Sequence, residues 1–130
     1  MRLLLDTHIL LWWLMGDRRL SKGLAKAVGS PENDVAVSAA SLWEIVIKQM
    51  LGRIDVALDE LLSSVTSDGF SELPVQFRHT LKLQSLPRHH DDPFDRILIA
   101  QSIAEGRRLV TTDKSILSYG SLAGFDPLSG

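Results

Sequence analysis

Three features of this sequence predict an α/β fold with a central, mainly parallel sheet. Short apolar or alternating runs (RLLL at 2–5, DVAVS at 34–38, LVTT at 109–112) recur between segments whose apolar residues keep helical spacing. One or two helices separate each strand from the next, which favours parallel strands with helices on both faces of the sheet. A length of 130 residues suits one core, so residues 1–130 are read as a single domain.

The elements follow in order. Arg2–Leu5 is apolar after its first residue and ends at Asp6, as expected of a strand buried on both faces. Residues 8–15, HILLWWLM, form a helix that Gly16-Asp17 breaks. This helix is apolar nearly all round, which implies cover on more than one side, from the core alone or from core and partner together. Ser21 caps a second short helix that runs to Gly29, and Ser30-Pro31-Glu32-Asn33 is a loop. Asp34–Ser38 alternates as a second strand. Ser41 opens a helix with Leu42, Ile45, Val46, Met50 and Leu51 at helical spacing, ending at Gly52.

Residues 58–65 read as a further helix, and 70–75 hold a strand around Leu73. Residues 76–84 are helical with Arg78, His79 and Lys82 outward, stopping before Pro87. Asp92 then caps a helix whose first residue, Pro93, has its φ already set. Its stripe is Ile97, Leu98, Ala100, Ile103 and Ala104, and Gly106 stops it. Residues 109–112 form a strand with Asp113 just past its end, Lys114–Leu117 is a short helix, and Phe125 belongs to a last edge strand.

Composition narrows the chemistry. With no Cys, thiolate catalysis, disulfides and Cys-ligated zinc are excluded. A formal charge of -2 provides no global basic field for nucleic acid, so any such partner needs local Lys and Arg or a bound cation. The first residues resemble a signal peptide only superficially, because Asp6 and His8 interrupt the apolar run and no small-residue cleavage site follows. No apolar run reaches membrane-spanning length, and the chain is read as soluble and cytoplasmic, without membrane contact.

Four acids carry the functional signal. In a parallel sheet the strand C-termini share one edge, where helix N-termini also gather. Asp6 ends the first strand, Glu44 stands in the first turn of the helix after the second, and Asp113 ends the 109–112 strand. Asp95 opens the helix that feeds that strand and reaches the same edge because the helix runs antiparallel to it. Each acid alone also has a structural reading: Ser41-x-x-Glu44 fits a capping box, and Asp6, Asp95 and Asp113 suit helix starts. Together, four converging carboxylates repel one another unless a hard, oxygen-seeking cation sits among them, which points to Mg²⁺ or Mn²⁺.

Three blocks carrying these acids, LLLDTHILLWW, VSAASLWEIVIK and DPFDRILIAQSIAEGRRLVTTD, resemble the PIN-domain family, and most closely its VapC-type toxins. The resemblance covers essentially the whole chain, although residues 53–88 add little beyond helical pattern. It implies a PIN-like α/β/α sandwich and an endoribonuclease dependent on Mg²⁺ or Mn²⁺. It also implies a homodimer held inactive by a small cognate antitoxin. Asp6, Glu44, Asp95 and Asp113 match the family's metal-binding, catalytic acids. Carboxylate-held metal suits hydrolysis of an RNA phosphodiester, whereas no G-x-S-x-G elbow supports covalent catalysis.

Weaker candidates surround the acids. Thr7, Ser38 and Thr112 stand beside them as hydroxyl supports, or as ordinary caps and turns. Arg96 follows Asp95 and is placed to meet phosphate or an acid. Lys48, one helical turn past Glu44, has the same two options. His89-His90 reads as an exposed pair, and Trp12, Trp13 and Trp43 as core or interface packing. The rival functions are a catalytically silent PIN fold used for binding and a receiver-like regulatory module. A receiver places paired acids after the first strand, but here Thr7-His8 follow Asp6.

Overall fold

The computed structural model describes residues 1–130. Its strands are β1 (Arg2–Leu5), β2 (Asp34–Ser38), β3 (Ser71–Leu73) and β4 (Arg108–Val110), all parallel and ordered β3-β2-β1-β4. In register, Leu4 lies between Ala36 and Leu109, and Leu5 between Val37 and Val110. β1 is therefore interior, and its side chains alternate between two separate cores. Leu3, Leu5, Val35, Val37 and Val110 face one core, while Leu4, Ala36, Leu73 and Leu109 face the other.

Helices cover both faces. The first core is closed by α1 (Thr7–Met15), α2 (Lys22–Gly29) and α4 (Leu58–Ser67) through Ile9, Leu10, Leu24, Val28 and Leu61. The second is closed by α6 (Pro93–Glu105) and α7 (Lys114–Leu117) through Leu98, Ile99 and Ile116. Between the layers stand α3 (Ala39–Met50), which sends Ala40 to one core and Ile45 to the other, and α5 (Phe77–Lys82). The result is the α/β/α sandwich expected from the alternation of elements. No helix is long and apolar enough to cross a membrane.

Local chemistry explains the element ends that position the acids. Asp92 accepts from the amides of Phe94 and Asp95, Pro93 occupies the first helical position, and Gly106 ends α6 at φ 63°. The third helix begins earlier than its sequence suggests, at Ala39, because Ser38 is the cap: its Oγ accepts the Ala40 amide at 3.0 Å. Ser41 is thus already helical, Glu44 lies beyond the first turn, and the capping-box reading of Ser41-x-x-Glu44 fails.

Other expectations are corrected by long-range contacts. His79 is fully buried rather than outward. Its Nδ1 accepts the Gln76 amide at 2.9 Å, which leaves the proton on Nε2 to be donated to Glu105 at 2.8 Å. Helix 76–84 divides into α5 and a 3₁₀ turn, Leu83–Ser85. Phe125 forms no strand: it packs in the second core, and Leu128 instead makes a parallel bridge to Val110. Trp12 and Trp13 pack on the first core as expected, but Trp43 is 63% exposed and stands edge-on to Phe94.

Candidate active site

β1 and β4 deliver two acids side by side. Their pairing continues past β1, where the Asp6 amide donates to the Val110 carbonyl at 3.1 Å. Asp6 is 3% exposed and caps α1: one oxygen accepts the Ile9 amide at 2.7 Å, and the other accepts the Thr111 hydroxyl at 2.5 Å. Thr111 Oγ1 in turn accepts the Asp113 amide at 3.1 Å, so one hydroxyl joins the two strand-end acids. Asp113 caps α7 through Oδ1, which accepts from Ser115 at 2.8 Å and Ile116 at 3.4 Å. The cap readings of Asp6 and Asp113 are therefore correct for one oxygen each.

The other two acids come from helices. Glu44 is buried on α3; its Oε2 pairs with Lys48 Nζ at 3.1 Å, and its Oε1 is buried with no hydrogen-bond partner. An orphaned carboxylate oxygen costs folding energy and is suited to a cation. Asp95, in the first turn of α6, accepts from His90 Nε2 at 3.1 Å through Oδ2.

Electrostatics ties the four together. Burial pushes the Asp95 carboxyl up to about 6, against the lowering effect of the His90 bond, and repulsion from Asp92, Asp113 and Glu44 adds to the rise. Burial also raises Asp6, opposed by Thr111 and the Ile9 amide, with Asp113 adding a smaller upward push. The acids sense one another across a shared edge. No three His, Asp or Glu side chains, however, close round one point as a ready-made cage. The donor set is all oxygen and includes the unpartnered Glu44 Oε1, a chemistry that fits a hard divalent cation.

The supporting residues divide. Thr7 is buried and donates to Ser41 Oγ at 3.2 Å, linking the starts of α1 and α3. Ser38 caps α3 and donates to Gln101 Oε1 at 2.6 Å. Lys48 takes the acid option, pairing with Glu44. Arg96 pairs with no acid: its Nη1 donates to Tyr119 Oη at 2.7 Å and to the Pro87 carbonyl at 3.0 Å. Thr112 is exposed, and the hydroxyl that serves the acids belongs to Thr111. Ser41 is not the helix cap but accepts from Thr7, and His90 is half-buried against Asp95 rather than exposed; Thr111 is the residue that sequence reasoning missed. For Thr111 the available signal was the strand ending two residues sooner, at Val110.

The comparisons agree with this architecture. The PIN domain family model matches residues 3–121. Over 122 residues the chain is 31% identical to Ribonuclease VapC22 of Mycobacterium tuberculosis, covering 89% of this chain and 90% of the relative. The crystal structure of VapBC2 from Rickettsia felis bound to a promoter DNA fragment superposes with a TM-score of 0.70 at 14% identity, over 98% of each chain. VapBC-1 from nontypeable Haemophilus influenzae gives 0.70 at 16% identity, over 99% of this chain and 98% of that one. VapBC-5 from M. tuberculosis gives 0.67 at 16% identity, also over 99% and 98%. At these identities the structural likeness is one of fold, and the 31% relative and the family model extend it to sequence. The chain belongs to the PIN-domain family and, within it, to the VapC-type proteins.

Proposed function

We propose that this protein is a metal-dependent endoribonuclease, the toxin of a toxin–antitoxin pair, with Asp6, Glu44, Asp95 and Asp113 as its catalytic, metal-binding acids. What carries the reading is the mutual repulsion of these acids, Asp95 with Asp113 and Glu44 and Asp6 with Asp113, in a chain 31% identical to Ribonuclease VapC22. Mg²⁺ or Mn²⁺ held there supplies an activated water and neutralises charge on the scissile phosphate. Asp6 is held rigidly by Thr111 and the α1 amide, so it offers a fixed oxygen to the ion. Glu44 offers Oε1, and Asp95 the oxygen not bonded to His90. Asp113 contributes its second oxygen to the ion or to the attacking water. Lys48, paired with Glu44 Oε2 at 3.1 Å, would hold that carboxylate in place with Oε1 left for the ion.

Solved structures of this fold include a toxin–antitoxin complex from Klebsiella pneumoniae and VapBC-5, a member of the VapBC family of toxin–antitoxin systems, which supports a small antitoxin as partner here. A groove lined by Leu11, Leu14, Met15, Val56 and Leu61 runs beside α1 and suits an apolar antitoxin segment. Exposed Phe77 and Leu81 on α5 favour a homodimer. The protein acts in the cytoplasm, where its RNA substrate is. The test is cleavage of structured and unstructured RNAs by antitoxin-free protein in Mg²⁺, Mn²⁺ or EDTA. Cleavage in both metals that EDTA abolishes is expected, and cleavage unchanged by EDTA overturns the mechanism.

A further inference from the structure

We infer that His90 is a positioning residue for Asp95, its imidazole oriented by a relay from Arg96 through Tyr119. The inference rests on the metal-nuclease reading for what Asp95 does, but the hydrogen-bond accounting is independent of it. Tyr119 is fully buried, and its phenol oxygen lies 2.7 Å from Arg96 Nη1. A guanidinium only donates, so the phenol accepts there. It also accepts the His90 backbone amide at 3.3 Å. Its single proton then has two acceptors within reach, His90 Nδ1 at 2.9 Å and the His90 carbonyl at 3.4 Å. The shorter bond takes the proton. Nδ1 is therefore the acceptor, and the neutral ring carries its proton on Nε2, 3.1 Å from Asp95 Oδ2.

Several contacts hold this relay in place. Arg96 also donates to the Pro87 carbonyl and lies over the Tyr119 ring, 5.9 Å from its centroid. Rings of both His89 and His90 stand edge-on to Tyr119. The loop before α6 is thus clamped onto Tyr119, two residues past α7, and His90 is presented to Asp95 at a set angle. Both ring nitrogens are occupied, so His90 is not itself a metal ligand, although an adjacent His pair suggests one.

The consequence is geometric. The terminal torsion of an Asp is broad, so a lone carboxylate at a helix start samples many orientations. Pinning Oδ2 leaves the other oxygen of Asp95 facing one way. Partners of this kind, acting through a ligand, are worth about 10–100-fold in metal affinity or activity. Arg96, which the sequence offers to phosphate or to an acid, reaches Asp95 only through Tyr119 and His90.

The experiment uses the full chain with ¹⁵N-labelled histidine and Mn²⁺ alone as the probe. Imidazole ¹⁵N spectra of the metal-free wild type are expected to show His90 protonated on Nε2, and Tyr119→Phe to lose that preference. By calorimetry His90→Leu is expected to bind Mn²⁺ about 10–100-fold more weakly. His90→Gln, whose amide can reach Asp95 as Nε2 does, is expected to recover most of that affinity. A proton on Nδ1 in the wild type overturns the relay, as does a folded His90→Leu that binds Mn²⁺ like wild type. Should His90→Leu not fold, the nearly isosteric Tyr119→Phe decides: wild-type tautomer and affinity in that variant overturn the assignment. Wild type that binds no Mn²⁺ overturns the metal reading and this assignment with it. Wild type that binds, with His90→Leu binding equally, overturns this assignment alone.

Discussion

Ser38 Oγ donates to Gln101 Oε1 at 2.6 Å, joining the cap of α3 to the middle of α6 inside the protein. These are the helices that carry Glu44 and Asp95. Gln101 also donates to the Pro74 carbonyl at 3.2 Å, so one buried amide sets the height of α6 against two strand ends. Gln101→Leu keeps the bulk but strands the Ser38 proton and the Pro74 carbonyl. The buried Ser38 hydroxyl left unpaired costs about 1–3 kcal/mol, and urea unfolding is expected to show a loss in that range. A variant as stable as wild type removes Gln101 from this role.

Thr111 makes a second prediction, because its hydroxyl serves Asp6 and Asp113 together. Thr111→Val preserves shape and leaves the buried Asp6 carboxylate without its side-chain donor. A hydrogen bond to a charged group contributes about 1.5–3 kcal/mol, and that loss is expected in metal-free unfolding. Thr111→Ser restores the hydroxyl and is expected to recover most of it. Equal destabilisation by both variants would assign the effect to packing of the methyl group.

What was legible in the sequence follows from local rules. β1 and β2 are apolar or alternating over their whole length, α6 has Asp92, Pro93 and Gly106 as punctuation, and the alternation of elements implies the parallel sheet. The positions that misled depend on partners distant in the chain. Arg78 and Lys82 group His79 with an outward polar set in the sequence, and only Glu105, at the end of α6, explains why His79 turns inward. Arg96 reads as a free cation until Tyr119 is brought beneath it. Thr111 and Thr112 are indistinguishable by composition; the bridge between Val110 and Leu128 and the bond from Asp6 to Val110 bury one and expose the other. Glu44 moved from a helix start to a helix interior because Ser38, rather than Ser41, supplies the cap.

The His79–Glu105 pair sets an acid-side dependence. The hydrogen bond from buried His79 holds the Glu105 carboxyl below its ordinary value of 4.5, helped by the Arg78 charge and opposed by desolvation. A carboxylate with a depressed folded value stabilises the native state fully above its unfolded value. That contribution is lost as pH falls through the lower, folded value. Glu105→Gln still accepts from His79 but carries no charge. Its stability relative to wild type is therefore expected to be lowest near neutrality, with the gap closing below 4.5. Urea midpoints compared across that range provide the check, and a gap independent of pH would exclude the charge as the cause.

Asp95→Asn distinguishes helix support from metal binding. Asp92 already caps α6 and an amide oxygen can still accept from His90, so the structural contribution lost with the carboxylate is its charge near the helix N-terminus, about 0.3–1 kcal/mol. If that were its whole role, the variant would lose this much stability and keep its cleavage of RNA. In the metal reading, the neutral amide removes repulsion with Asp92, Asp113 and Glu44 and relieves the burial that pushes the Asp95 carboxyl up to about 6. The metal-free variant is then expected to equal or exceed wild type in stability, while cleavage collapses. Metal that binds only the native state stabilises wild type by about 2.7 kcal/mol at 100 times its dissociation constant, and the variant is expected to lose much of that gain. Thermal unfolding with and without Mn²⁺, beside RNA cleavage, separates the cases. A variant keeping both full cleavage and the full metal-induced shift returns Asp95 to the service of its helix.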